Sequence, residues 1–173
     1  MRTSKRYSNV TFTKRVDHEA GRHRTTRAPA EPAICNLCGA VYFKRRWRLA
    51  GEPGKSGKRK DWHPTQIRIC PACKKRQEGL PAGFVYLDGA FLSAHRAEII
   101  RLLNNEADRA AADNPIGRIM AWQADRSEGI VITTTTEHLA KRLGQALEKA
   151  FGGEVRYDFS HENKLARVYW HRD

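Results

Sequence analysis

The sequence predicts an α+β protein in which a small four-cysteine module precedes an antiparallel sheet with two helices on one face. Three observations predict it. Two C-x-x-C pairs, Cys35/Cys38 and Cys70/Cys73, account for every cysteine in the chain. Aliphatic and aromatic residues concentrate after residue 80. Beyond residue 92 the apolar spacing switches between helical and strand periods in the order αββαββ.

The 173 residues are enough for about one to two domains. Residues 1–33 read as a basic tail, disordered when alone. Large apolar residues are sparse there, Tyr7, Val10, Phe12 and Val16 among them, too few to offset the entropy of ordering the segment. Residues 34–82 form the cysteine module and residues 83–173 the α+β domain.

In the module, ICNLCGAVYF and IRICPACKKR each supply one knuckle. A C-x-x-C turn aims two thiolates at one metal. Gly39 permits the first turn, and Pro71 pre-sets φ in the second. Two knuckles complete a tetrahedron of thiolates with Zn–S near about 2.3 Å, so Cys35, Cys38, Cys70 and Cys73 are the expected zinc ligands of a zinc-ribbon or treble-clef-like module. Thirty-one residues separate Cys38 from Cys70, more than the roughly 15–20 of the common template. The Gly/Lys-rich stretch AGEPGKSGKRKDW reads as an insertion, and loop length is thermodynamically inexpensive. Iron held by four thiolates is the alternative metal, and a redox dithiol is a third reading. His63, in the same stretch, reads as a surface residue.

GFVYLDG (83–89) is the first strand of the α+β domain. Ser93 is the expected cap of a helix running to about Ala112, with Ala97, Ile100, Leu103 and Ala107 on its apolar side. Asp113-Asn114-Pro115 stops it. Residues 118–126 and 129–136 form a hairpin turning around Ser127-Glu128-Gly129. Thr136 caps a second helix with Leu139, Leu143 and Leu147 at i, i+4 and i+8, ended by Gly152-Gly153. EVRYDFS and ARVYWHR alternate as two further strands joined at HENK (161–164). With the strand at 83–89 in front, the order contains the β-α-β-β-α-β of ferredoxin-like folds.

Charge divides the chain unevenly. Residues 1–82 carry 20 Lys+Arg and 6 Asp+Glu, and residues 83–173 carry 12 and 13. The first part is therefore +14 and the second −1, a pattern expected of a basic module for a polyanion joined to a near-neutral body. Nucleic acid is the commonest such polyanion, because each neutralised phosphate releases counterions. The candidate nucleic-acid contacts are Lys44, Arg45, Arg46, Trp47 and Arg48 after the first knuckle, Lys58, Arg59, Lys60 and Trp62 in the loop, and Lys74, Lys75 and Arg76 after the second. Guanidinium and ammonium groups hold phosphates, and indole faces stack on unpaired bases, which suits RNA. The competing structural use is core packing by Trp47.

Nothing in the sequence asks for catalysis. GEPGKSGK lacks the first glycine and the strand–loop–helix frame of a P-loop, and no H-E-x-x-H occurs. His95, His138 and His161 sit near helix starts or in a turn, and Glu98, Glu106 and Asp108 read as solvated helix positions. A closed four-thiolate shell leaves no coordination position for a reacting water. No stretch of 18 apolar residues is present, so no membrane span is expected. The N-terminus lacks a secretory core, which makes the cytoplasm the expected location.

ICNLCGAVYF, ICPACKKR, the long helix after them and GIVITTTTEHLAKRLGQALEKAFGGEVRYDFS together resemble the N-terminal zinc-containing part of the nonsense-mediated decay protein three family, the ribosomal large-subunit export adaptors, and its short prokaryotic relatives. The resemblance covers residues 34–173. It implies a zinc-bearing protein associated with ribosomal RNA, and with ribosomal proteins as further partners. By position it carries over Cys35, Cys38, Cys70 and Cys73 as ligands. The chain lacks the later domains and shuttling tail of the eukaryotic members, so nuclear export is not transferred. The expected function is a non-catalytic, zinc-stabilised RNA-binding protein. The alternatives are a protein-interaction adaptor acting through the zinc module and a nucleic-acid-processing enzyme.

Overall fold

The structure, a computed structural model, describes residues 29–49, 66–125, 129–160 and 164–173. It is a mixed α+β protein with two sheets and four helices among those residues. None of these helices is long and apolar enough to cross a membrane. Most of the tail (residues 1–28), the loop candidates Lys58, Arg59, Lys60, Trp62 and His63, and the tips of two predicted turns lie outside the described residues.

The first sheet is small. β1 (Ala33–Cys35), β2 (Val41–Phe43), β3 (Arg46–Arg48) and β4 (Gln66–Arg68) lie in the order β3-β2-β1-β4. The β1–β2 and β2–β3 pairs are antiparallel and β1–β4 is parallel. β2 and β3 turn on Lys44 and Arg45, whose φ values of 50° and 60° are left-handed, as a two-residue hairpin turn requires. The Glu31 carboxylate accepts both of their backbone N–H groups, at 2.8 and 2.6 Å. The KRRWR run, read from sequence only as a basic cluster, is therefore a turn and an edge strand.

The second C-x-x-C pair was expected to be a knuckle. It begins a helix instead, α1 (Pro71–Glu78). Cys70 is the N-cap, its Sγ accepting from the Cys73 N–H, and Pro71 fills the first helical position, where no N–H is needed. Gly79, with φ of 65°, closes the helix.

The second sheet holds β5 (Gly83–Asp88), β6 (Ile119–Ala124), β7 (Ile130–Thr134), β8 (Glu154–Ser160) and β9 (Leu165–His171) in the order β6-β7-β5-β9-β8. Every strand lies within two residues of its predicted bounds. The expected antiparallel sheet is corrected at its centre, where β5 and β9 run parallel. The reason is geometric. Helix α4 carries the chain from β7 to the far edge, where β8 forms. The β8–β9 hairpin then returns β9 into the slot beside β5, pointing the same way.

Helix α2 (Ala90–Ala94) is a short turn not predicted from sequence, and α3 (Arg96–Asp113) follows it after a break at His95. Ser93 falls inside α2, so it does not cap the long helix. Its neighbour His95 instead stacks on Phe91, with ring centroids 4.1 Å apart. The buried side of α3 is Ile99, Leu103 and Ala110, while Ala97 is exposed and Ile100 and Ala107 are half-buried. Adjacent Ile99 and Ile100 fit two stripes through Leu103 equally well, and packing against α4 selects the first. Glu106 is also not a solvated position. Its side chain is 17% exposed and it meets Arg142 at 2.5 Å, while Asp113 holds the same guanidinium at 3.1 Å.

Helix α4 (Glu137–Phe151) is capped as expected: Thr136 Oγ1 accepts from the Leu139 N–H, and Gly152 ends it. Leu139, Leu143 and Leu147 are buried, joined by Ala140 and Gly144. This face lies on the sheet against Val85, Leu87, Ile132, Val168 and Trp170. The contact is close enough that a Cβ on Gly144 would meet Val168 Cγ1 at 2.5 Å and Tyr157 Cε1 at 3.1 Å. Alanine favours a helix over glycine by about 1 kcal/mol, but overpacking a core costs about 1–3 kcal/mol. Gly144→Ala is therefore expected to destabilise by up to about 2 kcal/mol, read as a lower urea midpoint. An unchanged or higher midpoint would show that Val168 and Tyr157 yield at no cost.

Candidate metal centre and basic edge

The four cysteines come from two local structures. Cys35 ends β1, and a turn returns the chain so that the Cys35 N–H donates to the Ala40 carbonyl at 2.7 Å. Gly39 makes that return with φ of 71°, a conformation that disfavours any side chain. Cys38 projects from the turn. Cys70 and Cys73 lie on the first turn of α1, one at its cap and one inside it.

The four Sγ atoms all lie within 4.8 Å of one another, and Cys38 Sγ stands 3.7 Å from Cys70 Sγ. A disulfide needs about 2.05 Å, so these are thiols. A tetrahedron with metal–sulfur bonds of about 2.3 Å has edges of about 3.8 Å, which the Cys38–Cys70 pair matches at 3.7 Å. Backbone N–H groups point at the sulfurs: Cys70 donates to Cys35 Sγ at 3.3 Å and Cys73 to Cys70 Sγ at 3.4 Å. Such bonds stabilise thiolates without adding a fifth ligand. The residues present therefore fit a four-coordinate metal.

Burial acts upward on the Cys35 thiol, but N–H groups of Cys70, Leu37 and Cys38 outweigh it and bring its pKa down to about 6. For Cys70, burial and the nearby Cys38 prevail and push the pKa up to about 11. Cys73 is driven higher still, by burial and then by Cys38 and Cys70. A cluster in which Cys70 and Cys73 resist ionisation is short of the four thiolates a metal takes. Placing a dication at its centre reverses that balance.

Around the sulfurs the core is minimal. Cys35, Ala40, Cys70, Ala72 and Cys73 are buried together, with Cys38, Trp47 and Ile116 partly buried against them. Trp47 also meets Tyr42, with ring centroids 5.3 Å apart. Trp47 thus packs in part against the module core and in part remains half-exposed.

The basic candidates divide. Lys44, Arg45, Arg46 and Arg48 are exposed, along the turn and the edge strand β3. Arg46 and Arg48 share one face of that strand, because strand residues alternate. Lys74 pairs with Glu78 at 3.7 Å, and Arg76 is exposed. Lys75 leaves the patch altogether. Its Nζ donates to the Thr135 carbonyl at 2.9 Å, tying α1 to the body, and burial lowers its pKa. The predicted union of the two basic runs is incomplete for this reason: α1 turns part of its charge inward.

A cleft of about 530 Å³ lies where α1 meets the body, lined in part by Lys75, Thr136, Glu137 and Arg142. Its charged groups are largely engaged, Arg142 by Glu106 and Asp113 and Lys75 by Thr135.

The chain matches no protein-family model, no curated protein and no solved structure.

Proposed function

We propose that this is a cytoplasmic, non-catalytic RNA-binding protein, held together by one zinc ion and docking on ribosomal RNA, with the large subunit as the favoured site. The observation that carries the reading is the attachment of an exposed Lys44-Arg45-Arg46-Arg48 edge to a four-sulfur cluster. Zinc is favoured because a closed shell of four thiolates at tetrahedral spacing is its structural mode. The metal organises the turn and strand that present the cations, and it needs no open coordination position to do so. The excess of basic residues in the first 82 positions supports a polyanion as partner, and the resemblance to the large-subunit export adaptors supports the ribosome. The module would correspond to a treble-clef arrangement, with a knuckle from β1–β2 and a second ligand pair at a helix start.

The test is co-sedimentation of the full chain with ribosomal subunits through a sucrose gradient. At low salt the protein should travel with the large subunit, and it should be released as salt rises. Replacing Lys44, Arg45, Arg46 and Arg48 together by glutamine should weaken binding about 10- to 1,000-fold, through the loss of up to four phosphate contacts. A wild-type chain that stays at the top of a low-salt gradient would sink the ribosomal reading.

A protein-adaptor reading has its own support. Leu37, Ile67, Ile69 and Leu80 are exposed large apolar residues on or beside the metal module. An adaptor would retain its partner after nuclease treatment, whereas RNA-mediated association would be lost.

A further inference from the structure

The helices of the body cover one face of its five-stranded sheet. The other face has a composition that neither folding nor the basic module explains. Strand register places Gln123, Val131, Tyr86, Tyr169 and Arg156 side by side across β6, β7, β5, β9 and β8. The neighbouring rung is Ala121, Thr133, Phe84, Arg167 and Asp158. These positions alternate with Val85, Leu87, Ile132, Val168 and Trp170, which are buried against the helices.

Three rings on this face form a continuous row. Phe84 and Tyr86 are 6.2 Å apart at 15°, and Tyr86 and Tyr169 are 4.8 Å apart at 9°. The Arg156 guanidinium extends the row, lying 4.6 Å from the Tyr169 centroid. Arg156 is exposed, and among the described residues it has no carboxylate partner. Arg167 is nearby, its charge shared with Asp158 at 3.7 Å. Gln123, at the other end of the rung, is exposed and offers both donors and an acceptor.

We infer that this open sheet face is a second binding surface, one that takes unpaired bases of single-stranded nucleic acid. Cross-strand aromatic packing alone would explain rings beside rings. It does not explain a row that ends in an exposed guanidinium stacked on a ring. A planar cation there is what a base displaces or stacks upon, and its charge then meets the neighbouring phosphate. Among the described residues Arg156 has no ion pair for an inserting base to break, so a base enters between Tyr169 and Arg156 at the expense of the cation–ring contact alone. The row of rings lets successive bases splay across Tyr169, Tyr86 and Phe84, and Gln123 supplies an edge contact. A duplex cannot use the face, because its bases are already stacked. The surface lies on different elements from the basic edge and does not depend on that edge binding ribosomal RNA.

The experiment uses the full chain and fluorescein-labelled 12-mers of uridine and of thymidine, with a 12-base-pair duplex as comparison, read by anisotropy. Arg156→Gln and Tyr169→Leu are each expected to weaken single-strand binding, by roughly 5- to 150-fold for the loss of one stacked base, while leaving duplex binding unchanged. Ultraviolet crosslinks to the thymidine oligomer should fall in residues 83–88 or 165–171. Equal affinities for the two oligomers identify base stacking as the main term, and tighter binding of uridine adds a 2′-hydroxyl contact. Both outcomes support the surface. Arg156→Gln is a solvent-exposed change and tests the idea even if Tyr169→Leu fails to fold. The inference is overturned if neither oligomer binds the wild-type chain in 50 mM salt, if the variants bind both oligomers as wild type does, or if they lose duplex and single-strand binding in equal measure.

Discussion

Chelating the metal is expected to unfold the module formed by residues 29–49 and 66–80 while the five-stranded sheet stays folded. The argument is one of magnitude. A structural zinc ion contributes about 10–16 kcal/mol of apparent binding free energy in zinc-finger peptides at neutral pH. Against this, the buried cluster around the sulfurs consists of cysteines and the methyl groups of Ala40 and Ala72, with only part of Trp47 and Ile116 beside them. A buried methylene-sized group is worth only about 0.8 kcal/mol, so this core cannot order the module alone. The body does not share the dependence, since its core of Val85, Leu87, Ile99, Leu103, Ile132, Leu143, Leu147, Val168 and Trp170 contains no ligand. Hydrogen exchange of the full chain with and without chelator would show it. Protection should vanish at Cys35, Gly39 and Cys73, whose N–H groups are bonded inside the module, and persist in β5 and β9. Metal analysis of the untreated protein should give one zinc per chain and no visible absorption band, whereas iron would colour it. The pH dependence has a definite sign. With Cys70 near 11 and Cys73 higher in the metal-free thiols, metal must displace protons, so affinity falls as pH falls. Module protection that survives verified metal loss would overturn the account.

Trp170→Ala is expected to cost about 3–5 kcal/mol, as large aromatic truncations in cores do. Trp170 is 1% exposed. Its indole meets Phe91 edge-on at 6.4 Å, and its Nε1–H donates to the Gly152 carbonyl at 2.8 Å, fastening β9 to the end of α4. Truncation opens a cavity and leaves that carbonyl without its partner, so two penalties add. Domains of this kind have total stabilities of about 5–15 kcal/mol, which makes the loss a large fraction of the whole. Trp170→Phe should retain most of the packing and lose mainly the hydrogen bond, at about 1–2 kcal/mol. Urea unfolding of the two variants separates the contributions. A cost below about 1 kcal/mol for alanine would mean that the site collapses freely, contrary to the packing seen.

What the sequence determined by itself were the features that depend on local chemistry. Thr136 caps α4 because a hydroxyl three residues ahead of a free N–H needs nothing distant. Leu139, Leu143 and Leu147 face the core because their spacing leaves one stripe to bury. The alternation in EVRYDFS separates its two faces, and two C-x-x-C pairs in one chain predict a shared metal whatever lies between them. The bounds of α1 were also written locally, in Pro71 at its start and Gly79 at its end, but the charged run between them carries no apolar stripe to announce a helix. The tertiary structure decided whatever depended on a neighbour. Alternation shows which residues share a face, not which strand lies alongside, so the parallel pairing of β5 with β9 followed only from the path of α4 across the sheet. Ile99 rather than Ile100 faces inward because α4 is there to meet it. Lys75 leaves the basic patch because the Thr135 carbonyl lies within its reach. The row of Phe84, Tyr86, Tyr169 and Arg156 joins residues about 70 to 85 positions apart in the chain, and only strand register brings them side by side.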